Sequence, residues 1–378
     1  MDEFAAVFED LADRRTGNAK RHELLEILMI ALCTLLSGGT SCADMALFGR
    51  AKRDFLTGFM PLRNGIPSHD TFSRVFRLLD PDPFRRCFLA FMRRFAATGR
   101  EAGVVVALDG KTLRRSFDRA ASASPLHLVS AWAVEQRLVL GQLAVDDKSN
   151  EITAVPRLLA LLALKGTVVT ADALNCQRAI ARQVVDQGGD HVLALKGNQG
   201  TLHDDVRTHD DVRTFLDDPL TTVHGAGSVD GGHGRIEERR AAVSTDIAWL
   251  QEHHHWPGLA AIGKVTARRE GDGGTTVKTR YHLLSRAFAP ERFGALVRAH
   301  WDIANGLHWV LDVVMDEDQA RSRKDHGPEN LALLRRRALN LAELEPSRGS
   351  RRGKLRRAGW DERFLAALLA QFASPQMR

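Results

Sequence analysis

The run VVVALDGKTLRRSFDRAASASPLHLVSAWAVEQRLVLGQLAV, residues 104–145, holds three strand-like segments in close succession: VVVALD (104–109), PLHLVSAWAV (125–134) and LVLGQLAV (138–145). Short apolar, β-branched runs bounded by polar connections predict three consecutive strands. Beyond them the period changes. NEITAVPRLLALLAL predicts a helix, TVVTAD (167–172) a buried strand, NCQRAIARQVVDQ a helix and DHVLALK (190–196) another strand, with a further helix from about Thr201.

The predicted order is therefore β-β-β-α-β-α-β-α, the connectivity of an RNase H-like α/β core. In that fold the first and fourth strands lie side by side, which would bring Asp109 at the end of one next to Asp172 at the end of the other. Asp is a poor strand former and is costly to bury unpaired. Two converging carboxylates repel unless a divalent cation lies between them, and hard Mg²⁺ or Mn²⁺ prefers such oxygen ligands. A pair of such ions about 3.5–4 Å apart activates a water or a 3′-hydroxyl and stabilises the leaving oxygen of a phosphodiester.

Outward from this core, residues 1–100 read as an all-helical N-terminal domain, with apolar residues at helical spacing in HELLEILMIALCTLLSG, DTFSRVFRLLD and DPFRRCFLAFMRRF. Ser68 is a good N-cap, and Gly38, Gly39 and Pro67 punctuate the pattern. The core is expected over 101–345, with a β insertion at about 220–286 and a long helical stretch from Pro290 to about Leu344, interrupted near His326-Gly327-Pro328. Residues 346–378 read as a basic C-terminal tail.

Composition narrows the function classes. The chain has 378 residues, a formal net charge of +6 and a sequence pI of about 9.4. The segment from Pro346 onward carries eight Lys or Arg against Asp361 and Glu362, so it accounts for the whole excess and points to a polyanionic partner. No apolar run reaches the roughly 20 residues of a membrane span, and the acidic start MDEFAAVFEDLADRR does not read as a signal peptide, so the cytoplasm is the expected location. Cys33, Cys42, Cys87 and Cys176 form no C-x-x-C pair, which argues against a zinc knuckle or a disulfide framework. His253, His254 and His255 are adjacent and cannot share one face, which argues against a metal site there.

Several separated motifs in order resemble the H-repeat-associated transposases of bacterial insertion sequences, within the DDE superfamily: ALDGKTLRRS (107–116), DDKSNEI (146–152), VVTADALNCQ (168–177), HVLALKGNQ (191–199), HWDIANGLHWVLDVVMDEDQARSR (300–323) and HGPENLALLRRRALNL (326–341). The likeness covers nearly all of the chain. It implies metal-dependent cleavage and strand transfer of double-stranded DNA at transposon ends, two Mg²⁺ or Mn²⁺ ions in an intact site, a homodimer on DNA, and a bacterial, nucleoid-associated setting. It places the first two acids, as catalytic residues and metal ligands, on Asp109 and Asp172.

The family's third acid is a Glu in the pattern His-Trp-x-Ile-Glu-Asn, where this sequence reads His300-Trp301-Asp302-Ile303-Ala304-Asn305. A methyl group binds no cation. The chain is therefore expected to cut DNA poorly, whether the change is natural or engineered. The competing expectation is an inactive or domesticated relative that binds DNA or represses transposition. Asp302, Asp312 and Glu317 are not expected to substitute: Asp302 points about 200° round a helix from Ala304, and Asp312 lies two turns away.

Cations near the strand ends and loops are candidates for DNA contacts: Lys111, Arg114 and Arg115 after the first acid, Lys148 with Glu151 in KSNEI, and Lys196 with Asn198 in KGNQ. Arg321, Arg323 and Lys324 join them, with Arg351 and Arg352 from the basic tail. Trp301 and Trp309 recur eight residues apart, with core packing the favoured use over stacking on a base.

Overall fold

The computed structural model describes residues 2–9, 11–96, 103–118, 120, 122–145, 151–208, 226–232, 235–271 and 274–372. Its N-terminal part is helical: α1 (Asp2–Val7), α2 (Leu24–Leu36), α3 (Cys42–Ala51), α4 (Arg53–Thr57), α5 (His69–Leu78) and α6 (Pro81–Ala96). Local chemistry sets these boundaries. Gly38, with φ of +85°, follows α2, and Ser41 opens α3 with a reciprocal cap in which its hydroxyl accepts from Asp44 N and its own N–H donates to the Asp44 carboxylate. Ser68 caps α5 by accepting from Thr71 N at 3.3 Å. Every residue of α2 but Leu25 is buried, so this helix is the axis of the helical part.

The sheet follows as β1 (Val105–Thr112), β2 (His127–Ala133), β3 (Leu138–Val145), β4 (Val168–Ala171), β5 (Asp190–Leu195), β6 (Ala226–Gly232), β7 (Arg235–Ser244), β8 (Ala261–Gly271) and β9 (Gly274–Leu284). Interleaved are α7 (Glu151–Leu159), α8 (Arg178–Asp186), α9 (Gly200–Thr208) and α10 (Ala248–His254). Strands run in the order β3-β2-β1-β4-β5-β9-β8-β7-β6. The β1–β4 and β4–β5 pairs are parallel, with Leu108 opposite Ala171, while β1–β2 and β2–β3 are antiparallel.

The segment expected as a β insertion at about 220–286 is built of strands that extend the core sheet: β9 pairs antiparallel with β5, Val192 opposite Leu284, and β8, β7 and β6 follow outward. The free edge of β5 offers unpaired backbone groups, and a returning strand satisfies them. The expected basic tail is likewise folded. Its residues form α14 (Arg351–Trp360) and α15 (Glu362–Leu369), whose Leu355, Ala358, Phe364, Leu365 and Leu368 are buried in the same core as α2. Its charges divide between the two sides: Arg351 and Lys354 are buried beside Leu355 and Ala358, while Arg352 and Arg356 are exposed.

The helical stretch before it is more broken than its periodicity suggests: α11 (Pro290–His300), a π-helical turn over Ile303–His308, α12 (Trp309–Val314), and α13 (Gly327–Leu344). Asp316 in the left-handed region, φ +53°, ends the middle piece. Alternation along β1 divides the core. Ala107 packs with the N-terminal helices, the π turn and α13, whereas Val106 and Leu108 pack with α7 and α8 on the other face. No helix among the described residues is long and apolar enough to cross a membrane.

Candidate active site

Asp109 and Asp172 each lie one position beyond the paired residues Leu108 and Ala171 of two neighbouring parallel strands, so the register sets them side by side. Both line a cleft of about 170 Å³, with Thr170, Lys196, His300 and Ala304 among its other walls. Ala304 is thus placed where it faces the two acids. Its carbonyl accepts from the N–H of Trp309, five residues on, which is the widened hydrogen bond of a π turn. Among the described residues no group of three or more His, Cys, Asp or Glu side chains is disposed to hold a metal ion.

The carboxylates are held by separate partners. His308 Nε2 lies 3.2 Å from Asp109 Oδ2. Burial works against the Asp109 anion, but the His308 hydrogen bond and the charges of His308 and His300 outweigh it and hold the carboxyl below its usual value. Asp172 Oδ1 accepts from both the backbone N and Nδ2 of Asn175, each at 3.2 Å. Asn175 Nδ2 also reaches Glu151 Oε2 at 3.1 Å, and Glu151 Oε1 meets His127 Nε2 at 2.6 Å, with His127 Nδ1 2.8 Å from Thr112 Oγ1. Glu151, His127 and Asn175 are all buried, so the middle of this polar chain is closed to solvent, while it ends at half-buried Asp172 on one side and exposed Thr112 on the other.

Two further histidines close the floor. His300 Nδ1 lies 3.2 Å from Thr170 Oγ1, and burial pushes its imidazole down against the pull of Asp109 and Asp172. Burial together with His300 pushes His282 down to about 3, so this ring is neutral across the physiological range.

The cations expected at DNA are placed unequally. Lys111 is buried, its ammonium bonded to Asp312 and 3.1 Å from Asp318, with Glu317 at 3.8 Å. Alternation explains it: two positions after Asp109 it points to the same side of β1 and meets Asp312 of α12 and the acids that follow that helix rather than a phosphate. Arg351 is also buried, donating to Gly306 O and pairing with Glu343 at 2.8 Å, where it braces the π turn. These two placements correct the expectation of direct DNA contact. Asn198 donates to Ala173 O at 2.5 Å, and Gln199 to Cys176 O at 2.9 Å, so KGNQ clamps the loop that carries Asp172.

Arg114, Arg115, Lys196, Arg321, Arg323, Lys324 and Arg352 are exposed. Arg323 lies over Phe117 at 4.7 Å and donates to Arg115 O. Lys148 lies outside the described residues.

Core packing for the two tryptophans is also corrected: Trp301, at the C-cap of α11, and Trp309, at the start of α12, are 52% and 56% exposed. Asp302 accepts from Trp132 Nε1 at 3.0 Å, and Glu317 is buried against Arg336 at 2.8 Å. Both are engaged away from the cleft. His127 lies in no motif, and Asn175, though inside VVTADALNCQ, carries no sequence signal of its role; Glu151 alone of the three is a candidate from its sequence.

The family description "Transposase DDE domain" matches residues 100–341, and a DDE_Tnp_1-associated domain matches 5–92. The chain belongs to the DDE transposase family. It is similar to the "H repeat-associated putative transposase YhhI" of Escherichia coli (strain K12), 35% identical over 95% of this chain and 96% of that protein. It is also similar to an uncharacterized protein in the dhlA 3′ region of Xanthobacter autotrophicus, 46% identical over 75% of this chain and 94% of that one. For this DDE family member the cleft between Asp109, Asp172 and Ala304 is the site to explain.

Proposed function

We propose that this chain is a transposase with an RNase H-like core that cleaves double-stranded DNA at the ends of an insertion sequence and joins them to a target, and that Ala304 impairs both steps. The carrying observation is that Asp109, inside β1 just past the last β1–β4 pair, and Asp172, just past β4, line one cleft with Ala304. The β3-β2-β1-β4-β5 portion of the sheet supports the RNase H-like reading, with β9 to β6 extending it.

The donor set fits a divalent cation in part. Asp109 and Asp172 are hard oxygen donors suited to Mg²⁺ or Mn²⁺, and the expected third donor is absent. Such an ion, when bound, supplies Lewis-acid activation of the attacking water or 3′-hydroxyl. The chain's own residues do the rest. His308 keeps Asp109 ionised, Asn175 occupies one oxygen of Asp172 and so fixes how its carboxylate is turned, and Glu151 orients Asn175. Exposed Lys196 at the cleft rim is suited to a phosphate near the scissile bond. Arg114, Arg115, Arg321, Arg323, Lys324 and Arg352 offer further phosphate contacts. End recognition falls to the N-terminal helices. Handling two ends together calls for a homodimer on DNA, acting at the bacterial nucleoid.

A second reading, a DNA-binding relative that represses without cutting, is favoured by Ala304 itself. Cleavage of end-containing DNA with Mg²⁺ or Mn²⁺ by this chain and by Ala304→Glu separates the two. Restored cutting and joining is the expected result. No cutting by Ala304→Glu, with DNA binding intact, would leave the binding-protein reading.

A further inference from the structure

A groove of about 590 Å³ runs between β7, β8 and β9 on one side and α11 on the other. Arg239, Arg269, Lys278, Arg280 and Arg298 line it, against Glu237 and Glu291 as the carboxylates among the described residues. Glu237 is itself engaged, by Arg239 at 2.9 Å and Arg269 at 3.1 Å. Between the cations the floor is apolar, built from Ala241, Val265, Ala267 and Val297.

The groove is not isolated. Arg280, Val297 and Trp301 line both it and the cleft of Asp109 and Asp172, and Trp301 also lines the recess beyond, with Arg137 and Asn305. Trp301 therefore stands where three concavities meet. Its indole is 52% exposed, with the Arg280 guanidinium 5.3 Å from the ring centroid.

We infer that this groove takes an unpaired DNA strand where it enters or leaves the acid cleft. The inference rests on the DNA-cleaving reading above and adds the form of DNA that the groove receives. A single strand carries a phosphate at each step and bares the faces of its bases, so it can use a cationic rim, an apolar floor and an aromatic platform at once. A duplex hides its base faces in the stack, so it leaves the floor and the aromatic platform unused and has no reason to seat its phosphates in this groove. A small anion gains nothing from the floor.

The test is fluorescence anisotropy with the full chain, a labelled 12-nucleotide single strand, and a duplex of the same sequence. Replacing Lys278 and Arg269 together (Lys278→Glu, Arg269→Ala) is expected to weaken single-strand binding by about tenfold and to flatten its salt dependence by roughly 0.7 per lost phosphate contact. Duplex binding should change by less than about twofold, since its phosphate contacts lie elsewhere. Trp301→Ala should cost single-strand affinity by about tenfold, as loss of one stacked base does. The single strand should also quench tryptophan fluorescence in the unmodified chain and not in Trp301→Phe.

Equal losses on both DNA forms, or no loss on the single strand, overturns the inference while leaving a DNA-binding protein. Failure of the unmodified chain to bind either form overturns the DNA-cleaving reading and the inference with it. Lys278 is exposed, so Lys278→Glu alone serves if the double variant unfolds on a thermal scan.

Discussion

Nε2 of His308 sits 3.2 Å from Oδ2 of Asp109, one helical turn beyond Ala304. The element that lacks the third acid still grips the first one, through an imidazole that favours the ionised carboxylate. Replacement of His308 by alanine should therefore raise the Asp109 carboxyl toward or above its ordinary value of 3.8, read by carbon NMR of the labelled side chain across an acid titration. Because the folded-state value is depressed, Asp109 ionisation adds stability above the unfolded value, and that stability is lost as pH falls through the folded one, below about pH 4. An Asp109 titration that does not move in His308→Ala would show that the contact carries no weight.

Gly110 leaves room on β1 for the buried polar network. A Cβ there would meet Glu151 Oε1 at 2.3 Å and His127 Nε2 at 2.5 Å. Gly110→Ala should thus lower stability by about 1–3 kcal/mol, the usual cost of overpacking, and displace the strand end that bears Asp109. Urea unfolding measures it; a variant as stable as the parent would mean that the Glu151–His127 pair has room to move.

Asn175 serves two carboxylates at once. Its removal in Asn175→Ala leaves Glu151 Oε2 buried without its donor and takes one donor from Asp172, for a cost of about 1–3 kcal/mol. Asn175→Asp should be worse than Asn175→Ala, since it sets a third carboxylate against the other two. The reverse order on denaturant titration would refute this account of the loop.

Glu317 and Arg336 form an ion pair in which neither side chain is exposed, 2.8 Å apart. Arg336→Met should cost about 3–5 kcal/mol by stranding a buried anion, and adding Glu317→Leu should recover much of it. Burial opposes the Glu317 carboxylate, but Arg336, Arg335 and Lys111 outweigh it and keep it below its usual value, so the pair's support is present above the unfolded value of about 4.3 and fades on acidification below it. A double mutant as unstable as Arg336→Met would argue for packing rather than charge as the cause.

Much of the fold was legible because strand and helix periods are local. VVVALD, TVVTAD and DHVLALK announced the strands that bring the two acids together, and Ser68 announced the start of α5. Phosphate-contact candidates were less legible, since a cation's sequence neighbours do not say which side of a strand it faces or what waits there. Lys111 is expected from its sequence at DNA, yet three acids from a segment some 200 residues later surround it. The π turn over Ile303–His308 was not legible either, because a regular 3.6-residue period does not register one widened turn.

The sequence by itself determined the order of elements, the identities of Asp109 and Asp172, and the alanine at position 304, because each is a matter of residue type and local period. Only the tertiary structure decided that β6 to β9 continue the main sheet, that the basic C-terminal segment folds back as α14 and α15 onto α2, and that His127, Glu151 and Asn175 stand behind Asp172. Those outcomes depend on which open strand edge or apolar face is met by a distant part of the chain. Backbone groups and buried surface find such partners in space, and no local pattern encodes the distance.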